Sequence, residues 1–295
     1  MRLSRLAADL LLISVAAVWG GTFVIVRHTV QSLPPLLLIG ARFALALIAL
    51  LLVSPRSLLG WRRHLLPGLA LGGLLMGGFI LQTYGLRYAA ASVSGFITGL
   101  NVVFVAVIAA LFMPGGMTIR VGIGVLLATL GLTALSWQEG AWRLGPGDLL
   151  TLGCAVFFAL HIVMTGKFAP SCDPFPLAGI QFAAVGACCL ILNALAGGGF
   201  VLPRASDLAA LAYLGLAATG FAFLVQTAAQ RHTPPVDTAI ILSTEPLFAA
   251  IVAVTLGGEK VTARMLLGGG AILAAMLVSV MEPPPAHPVA ARLDL

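Results

Sequence analysis

Charged side chains are scarce in this sequence. Only ten Asp and Glu occur among 295 residues, and Asp, Glu, Lys and Arg together make up 9%. Soluble domains carry roughly 25% charged residues, so the composition excludes an ordinary soluble fold. The four cysteines form no CxxC pair and lie mostly within apolar runs, where cysteine behaves as a small hydrophobic residue. We therefore expect neither a metal centre nor a disulfide.

Motifs of catalysis and nucleotide binding are also absent. The sequence contains no GxxxxGKS or GxxxxGKT, no HExxH and no GxSxG, and no Ser/His or Cys/His spacing singles out a nucleophile. We expect no catalytic residue, no cofactor and no enzyme activity, and no nucleotide site that could supply energy. The formal charge of +6 does not indicate a nucleic-acid partner, because the sixteen Lys and Arg are scattered between apolar runs.

Apolar runs dominate what is present. Hydrophobic residues make up 60% of the chain and the mean hydropathy is +1.08. Runs of about 20 residues recur from end to end, each long enough to cross a hydrocarbon core of roughly 30 Å. The sequence therefore predicts an all-α integral membrane protein with ten transmembrane helices in contact with a lipid bilayer. The predicted spans are 8–26, 34–53, 65–87, 90–112, 119–137, 147–166, 174–196, 207–230, 235–256 and 262–281.

The basic residues predict the orientation of these spans. If the N-terminus lies inside, nine Lys and Arg fall in inner tails and loops and six in outer ones. Because inner loops are enriched in Lys and Arg, both termini are expected in the cytoplasm. The first apolar run is too long for a signal sequence, so we expect a retained helix. The inner residues are Arg2, Arg5, Arg56, Arg62, Arg63, Arg120, Lys167, Arg231 and Arg292; the outer ones are Arg27, Arg87, Arg143, Arg204, Lys260 and Arg264.

The two halves of the chain repeat each other. FILQTYGLR at 79–87 and FLVQTAAQR at 223–231 share the pattern Phe-x-x-Gln-Thr-x-x-x-Arg. A shift of 144 residues aligns spans 3 to 5 with spans 8 to 10, and a shift of 139 aligns spans 1 and 2 with spans 6 and 7. Aligned pairs include Phe79 with Phe223, Gln82 with Gln226, Phe104 with Phe248, Thr118 with Thr262 and Asp9 with Asp148.

A repeat of five spans has a topological consequence. Because five is odd, the second copy must begin on the opposite side of the membrane, so the two five-helix repeats are predicted to be inverted. We expect residues 1–140 to form the first repeat and 141–295 the second, with a short Pro-rich C-terminal tail. Inverted repeats suit alternating access around a central cavity near the midplane. Such a cavity needs only one chain, so a monomer is the simplest expectation.

Several stretches carry a family resemblance: VWGGTF at 18–23, ARF at 41–43, the small-residue span from 91 and STEPLFAAIVAVTLGGEK from 243. The chain resembles the drug/metabolite transporter superfamily in its form with two EamA-type repeats. Within it, the chain looks most like bacterial inner-membrane exporters of aromatic and other neutral amino acids. The resemblance implies a small-molecule substrate and a cavity lined mainly by helices 1, 3, 4, 6, 8 and 9, with helices 5 and 10 at the periphery.

Polar side chains within the spans mark the expected path, because unpartnered polar atoms are costly in lipid. On span 4, Thr98 and Asn101 belong to one helical stripe, and Asn101 aligns with Glu245 on span 9. Glu245 could hold an ammonium group, exchange protons or serve as a packing residue. Pro246 beside it removes a backbone donor and is predicted to act as a hinge.

The remaining candidates for substrate binding are polar or aromatic. Gln82 and Gln226 offer donors and acceptors that suit a zwitterion, or they could bond neighbouring helices. Arg42 could neutralise a carboxylate such as Glu245, although an interhelical role is favoured because span 2 is expected beside the cavity. Apolar walls and further polar contacts are expected from Trp19, Thr22, Phe79, Phe158 and His161, with Phe23, Phe96 and Tyr84 also considered as walls.

These features predict a secondary transporter that exports small neutral amino acids of the aromatic, threonine and methionine class, or an amphipathic metabolite. One alternative is a multidrug exporter of lipophilic cations, which would be expected to hold more acidic groups deep in its spans than Glu245 alone. Another is a proton-coupled metabolite antiporter that uses Glu245 or His161. A membrane enzyme or a channel is a weaker interpretation.

Overall fold

Helical segments coincide with all ten predicted apolar spans, and each boundary agrees to within three residues. The computed structural model describes residues 4–55, 60–112, 119–138, 141–142, 144–199, 201 and 203–280. The predicted C-terminal tail, the predicted repeat boundary at residue 140 and the alignment of Thr118 fall outside these residues. So do Arg2, Arg56, Arg143 and Arg292 from the charge count.

Six helices are seen in the described residues of the first half of the chain. They are α1 (Arg5–Thr29), α2 (Pro35–Val53), α3 (Leu65–Gly85), α4 (Ala91–Gly99), α5 (Asn101–Phe112) and α6 (Ile119–Ser136). A 3-10 turn at Trp61–His64 precedes α3. Two-residue strands β1 (Trp137–Gln138) and β2 (Ala141–Trp142) pair antiparallel after α6.

The second half, as far as the structure describes it, contains seven helices and one π-helical segment. The helices are α7 (Pro146–Phe168), α8 (Pro174–Leu195), α9 (Ala205–Ala212), α10 (Ala222–Ala229), α11 (Pro235–Leu242), α12 (Glu245–Thr255) and α13 (Ala263–Val280). The π-helical segment Tyr213–Phe221 joins α9 to α10 without a break, and a 3-10 turn, Ala169–Ser171, follows α7.

Proline sets the start of several helices. Pro35, Pro146, Pro174 and Pro235 each stand at the beginning of a helix, where the missing N–H would have no intrahelical partner and the fixed φ already suits a helix. The start of α1 is capped differently, because Ser4 Oγ accepts a hydrogen bond from the backbone N–H of Ala7 at 3.2 Å. These local signals explain why the observed starts follow the sequence closely.

Eight helical segments of the described chain are long and apolar enough to cross a membrane. Shorter apolar stretches, Gly122–Gly131 and Ala263–Ala275, lie within α6 and α13. Large apolar side chains such as Leu52, Leu66 and Leu195 are exposed on the outer faces, where lipid solvates them. The chain is therefore a multi-pass membrane protein.

Contacts between the halves follow the sequence repeat. α1 packs against α12, and its repeat counterpart α7 packs against α4 and α5. α3 contacts α7 and α8, and its counterpart, the π-helical segment with α10, contacts α1 and α2. α2 meets its own counterpart α8, and α6 meets α13. Each of these contacts thus has an equivalent made by the other half.

Spans 4 and 9 are each interrupted at the same place in the repeat. Leu100 separates α4 from α5, and Ser243 and Thr244 separate α11 from α12. The shift of 144 aligns Leu100 with Thr244. In span 9, Pro246 explains the interruption because it cannot donate to the carbonyl four residues earlier. Span 4 has no proline there, and its interruption follows Gly99, a residue that weakens helices.

Candidate functional site

A cavity lies at the centre of the helices, beside both interruptions. Its walls come from α1, α2, α3, α5, α7, α10 and α12, and the void that it encloses measures about 40 Å³. Such a void holds about three water molecules, at roughly 10–15 Å³ each. The lining residues are Trp19, Thr22, Arg42, Phe79, Gln82, Asn101, Phe158, His161, Ile162, Phe223, Gln226 and Glu245.

Nine of the ten residues predicted to bind substrate line this cavity: Trp19, Thr22, Phe79, Gln82, Asn101, Phe158, His161, Gln226 and Glu245. Thr98 is buried but is not among the lining residues; its side chain lies beside Cys154 of α7. The predicted stripe assumed a continuous helix, whereas the interruption at Leu100 separates Thr98 from Asn101. Pro246 is the second residue of α12 and is buried.

Three lining residues were not among the predicted binding residues. Arg42 was expected beside the cavity, but it forms part of the wall, and a charge nine residues into a span was the signal for it. Phe223 is the repeat partner of Phe79 and could have been chosen on that ground. Ile162 carries no signal in the sequence. Phe23, Phe96 and Tyr84 were considered as walls but are not among the lining residues.

Aromatic rings make up one side of the cavity. The Trp19 and Phe223 ring centroids lie 5.0 Å apart, and the Phe79 ring lies 5.4 Å from Phe158 and 5.8 Å from Phe223. Trp19 is held in place because its indole Nε1–H donates to the carbonyl of Ala218 at 2.8 Å. Tilted and edge-to-face pairs of this kind are the favoured arrangements of aromatic rings. They form a rigid apolar surface.

Hydrogen-bond acceptors without a donor also belong to residues of the cavity lining. In the described part of the chain, Asn101 Oδ1 and Gln226 Oε1 are buried and have no hydrogen-bond partner. Gln226 is oriented by its own amide, which donates to Gln230 Oε1 at 3.1 Å. The Glu245 side chain lines the same cavity and is only 7% exposed. Three acceptor groups, one of them a carboxyl group, therefore belong to the lining of one cavity, and an ammonium group has three N–H donors to offer such acceptors.

His161 is already engaged. Its Nε2 lies 2.9 Å from Gln181 Oε1, and the Gln181 amide donates to the Leu177 carbonyl at 3.0 Å. Because the amide nitrogen of Gln181 donates to Leu177, the side-chain oxygen of Gln181 is the atom that faces His161. A carbonyl oxygen can only accept a hydrogen bond. His161 Nε2 therefore carries a proton. Among the described residues, no group of three or more His, Cys, Asp and Glu could hold a metal ion.

Polar contacts hold both ends of α1. At one end, Arg27 pairs with Glu259 at 3.1 Å, and Glu259 also accepts from the backbone N–H of Ala91 at 2.8 Å and from the Ser92 hydroxyl. At the other end, Arg5 pairs with Asp237 at 2.5 Å.

The central void is much smaller than the roughly 300–1,000 Å³ of typical ligand pockets. Helices must therefore separate before a ligand larger than a few water molecules can enter.

Comparison with known proteins gives the same organisation. The EamA-like transporter family matches twice, at residues 6–137 and 145–281. The chain belongs to the EamA-like transporter family. The two matches correspond to the two repeats seen in the sequence.

Relatives and solved structures extend this result. An uncharacterized transporter of Archaeoglobus fulgidus is 32% identical over 274 residues, which cover 93% of this chain and 86% of the relative. A second uncharacterized transporter of the same organism is 27% identical over 271 residues, covering 85% and 89%. One crystal structure has a TM-score of 0.72 and 20% identity over 94% of this chain and 97% of its own, and it shows the shared fold. The family and these relatives are transporters.

Proposed function

We propose that this EamA-family transporter exports small neutral amino acids of the aromatic, threonine and methionine class by alternating access. The observation that carries the proposal is the pairing, in one cavity, of an aromatic wall with the acceptors Asn101 Oδ1, Gln226 Oε1 and Glu245. An ammonium group satisfies such acceptors, and aromatic rings accommodate an apolar side chain. Gln82, Thr22 and His161 complete the polar lining.

The proposed architecture is ten transmembrane helices in two inverted five-helix repeats, residues 1–140 and 141–295, around the central cavity. The matched contacts of the two halves and the matched interruptions of spans 4 and 9 support it. We further propose a bacterial cytoplasmic membrane, from the resemblance to bacterial exporters, and a monomer, because one chain can form the cavity. Both termini are proposed to lie in the cytoplasm on the basis of the distribution of Lys and Arg.

The interruptions of spans 4 and 9 supply the moving parts in this proposal. Interrupted helices near the midplane are typical of transporter binding sites, and here α5 begins at Asn101 and α12 begins at Glu245. A bend at Ser243 and Thr244, with Pro246 as the hinge residue, changes the position of Glu245 relative to the aromatic wall. Substrate binding and helix movement are thereby coupled.

The alternative functions use the same residues differently. A carboxyl group among aromatic rings also suits a lipophilic cation, which favours the multidrug alternative. The buried guanidinium of Arg42 in the same wall argues against it, because a second cation would be repelled. A proton-coupled antiporter would use Glu245 or His161 as the proton carrier.

The test is flux of labelled phenylalanine into or out of proteoliposomes that contain only this protein, with and without an imposed proton gradient. We expect saturable flux that falls roughly tenfold or more in Glu245→Ala and Gln82→Ala. Gln31→Ala is the matched control, since Gln31 is exposed at the end of α1. Flux that requires the gradient would favour the antiporter. Absence of flux for phenylalanine, threonine and methionine would overturn the amino-acid assignment.

A further inference from the structure

Arg42 is a buried cation without an acidic partner among the described residues. Its side chain is 2% exposed on α2, and the ion pairs of the described chain join Arg5 to Asp9, Arg5 to Asp237 and Arg27 to Glu259. A guanidinium carries five N–H donors, and the one hydrogen bond that Arg42 makes is from Nε to Thr219 Oγ1 at 2.8 Å. A buried charge of this kind is costly unless another group pairs with it.

The contacts of Arg42 hold its guanidinium in one orientation. The central carbon Cζ lies 4.6 Å from the centroid of the Phe79 ring, so the guanidinium and this ring form a cation–π contact. The bond to Thr219 fixes the Nε edge, and the Thr219 hydroxyl donates its own proton to the Leu214 carbonyl at 2.7 Å. The terminal nitrogens are therefore the part of the fork that remains for another group. That group must be reached through the cavity, which Arg42 lines.

The π-helical segment brings Thr219 to this position. Thr219 lies within this π-helical segment, its side-chain hydroxyl donates to the Leu214 carbonyl of the same segment, and π-helical turns are frequent at functional sites. Gly215 in the same segment lies against α2: a Cβ at this position would meet the Arg42 carbonyl oxygen at 3.1 Å. The segment and α2 are thus packed closely where the guanidinium is fixed. In the other half, the position of Arg42 is taken by the neutral Gln181.

We propose that Arg42 is the carboxylate-binding group of the central site and that its terminal nitrogens hold the substrate's carboxylate. The choice of an amino acid as the ligand rests on the proposed function. The acceptors of α5, α10 and α12 then bind the ammonium group, so one cavity provides a partner for each charge of a zwitterion. Thr219 is a positioning residue, because it acts through Arg42.

Ligand-induced thermal stabilisation of the purified protein tests this assignment with three probes: phenylalanine, 3-phenylpropionate, which lacks the ammonium group, and phenethylamine, which lacks the carboxylate. We expect the wild type to bind both carboxylates and to bind phenethylamine more weakly. Arg42→Gln should weaken binding of both carboxylates about 30-fold or more and leave phenethylamine binding unchanged or improved. The glutamine is tolerated by the repeat-related position, which makes this variant a mild one for folding.

Two further variants separate a binding role from a structural one. Arg87→Gln is the matched control, since Arg87 is exposed, and its affinities should equal those of the wild type. Thr219→Val should weaken carboxylate binding less than Arg42→Gln and in the same direction. Equal losses for all three probes in Arg42→Gln, or carboxylate binding retained in that variant, would overturn the proposal, as would a wild type that binds no carboxylate. If 3-phenylpropionate binds through Arg42 and phenylalanine neither binds nor moves, the carboxylate subsite stands and the amino-acid function fails.

Discussion

The packing of α1 against span 9 (α11 and α12) differs from its repeat counterpart, the packing of α7 against span 4 (α4 and α5). We call the first the charged pair and the second the neutral pair. The first pair carries an ion pair at each end, Arg5 with Asp237 and Arg27 with Glu259. In the second pair, the contact between Ser94 and Thr151, at 3.3 Å, joins two neutral hydroxyl groups. The repeat aligns Arg5 with Leu144, Asp237 with Val93, Arg27 with Gly166 and Glu259 with Gly115, so none of the four charges has a charged counterpart. A repeated fold therefore need not repeat the interactions that hold it closed.

The asymmetry suggests different roles for the two pairs. Ion pairs at both ends hold α1 and span 9 in register, so we expect them to move together. Among the described residues, no ion pair is seen in the neutral pair, so we expect it to separate at a lower cost. The following variants test this difference, in order of decreasing expected effect.

Gly20→Ala should destabilise the charged pair the most. Gly20 lies where α1 crosses α12, and a Cβ at this position would meet the Ala249 backbone nitrogen at 2.9 Å and the side chain of Phe248 more closely. Backbone cannot move aside as a flexible side chain can, so overpacking should cost about 1–3 kcal/mol. Thermal unfolding in detergent would show a lower midpoint. The aligned residue in α7 is already Ala159, and Ala159→Gly should lower the midpoint less; equal shifts would contradict the comparison.

Glu259→Ala should have the next largest effect. The Glu259 carboxylate accepts from the backbone N–H groups of Ala91 and Ser92 at the start of α4 and pairs with Arg27. Loss of a helix-capping acceptor costs about 0.5–2 kcal/mol. We expect a lower midpoint and faster substrate exchange in proteoliposomes, because one end of α1 is released. Glu259→Gln keeps an acceptor and should lose less, so a glutamine variant as unstable as the alanine variant would count against the capping role.

Arg5→Gln should have the smallest effect. The Arg5 side chain is 63% exposed, although Asp237 is only 17% exposed. Exposed ion pairs contribute about 0–1 kcal/mol and are screened by salt. The unfolding midpoint should drop slightly at low salt and match that of the wild type at high salt, and Asp237→Asn should behave in the same way. A large loss that persists at high salt would mean that this end is held as firmly as the Glu259 end.

Much of the fold could be predicted because lipid imposes simple rules. An apolar run must be about 20 residues long to span the membrane, and prolines mark helix starts, so the observed segments lie close to the predicted ones. The interruption at Leu100 could not be predicted, because Val102 replaces the proline that marks span 9. The π-helical segment also lacks a sequence signal, since YLGLAATGF contains no proline and continues the mainly apolar pattern of its span.

The cavity lining could be predicted to a similar extent. Polar and aromatic residues deep in the spans were chosen because lipid disfavours polar atoms, and nine of them line the cavity. Arg42 lines the cavity, although the sequence predicts it only beside the cavity. The position of α2 depends on its packing against α8 and the π-helical segment, and no local pattern in the sequence encodes that packing. The prediction that Thr98 lines the cavity extends a helical stripe across the interruption at Leu100, which the sequence does not show.

The two interruptions also have an electrostatic consequence. Each one brings the C-terminal end of one short helix, α4 or α11, next to the N-terminal end of another, α5 or α12. Helix ends carry opposite partial charges, equivalent to roughly half an elementary charge each. Because the two ends at each interruption are adjacent, we expect their opposite partial charges to offset each other largely. Each interruption should therefore present the cavity with backbone polar groups but with little net charge.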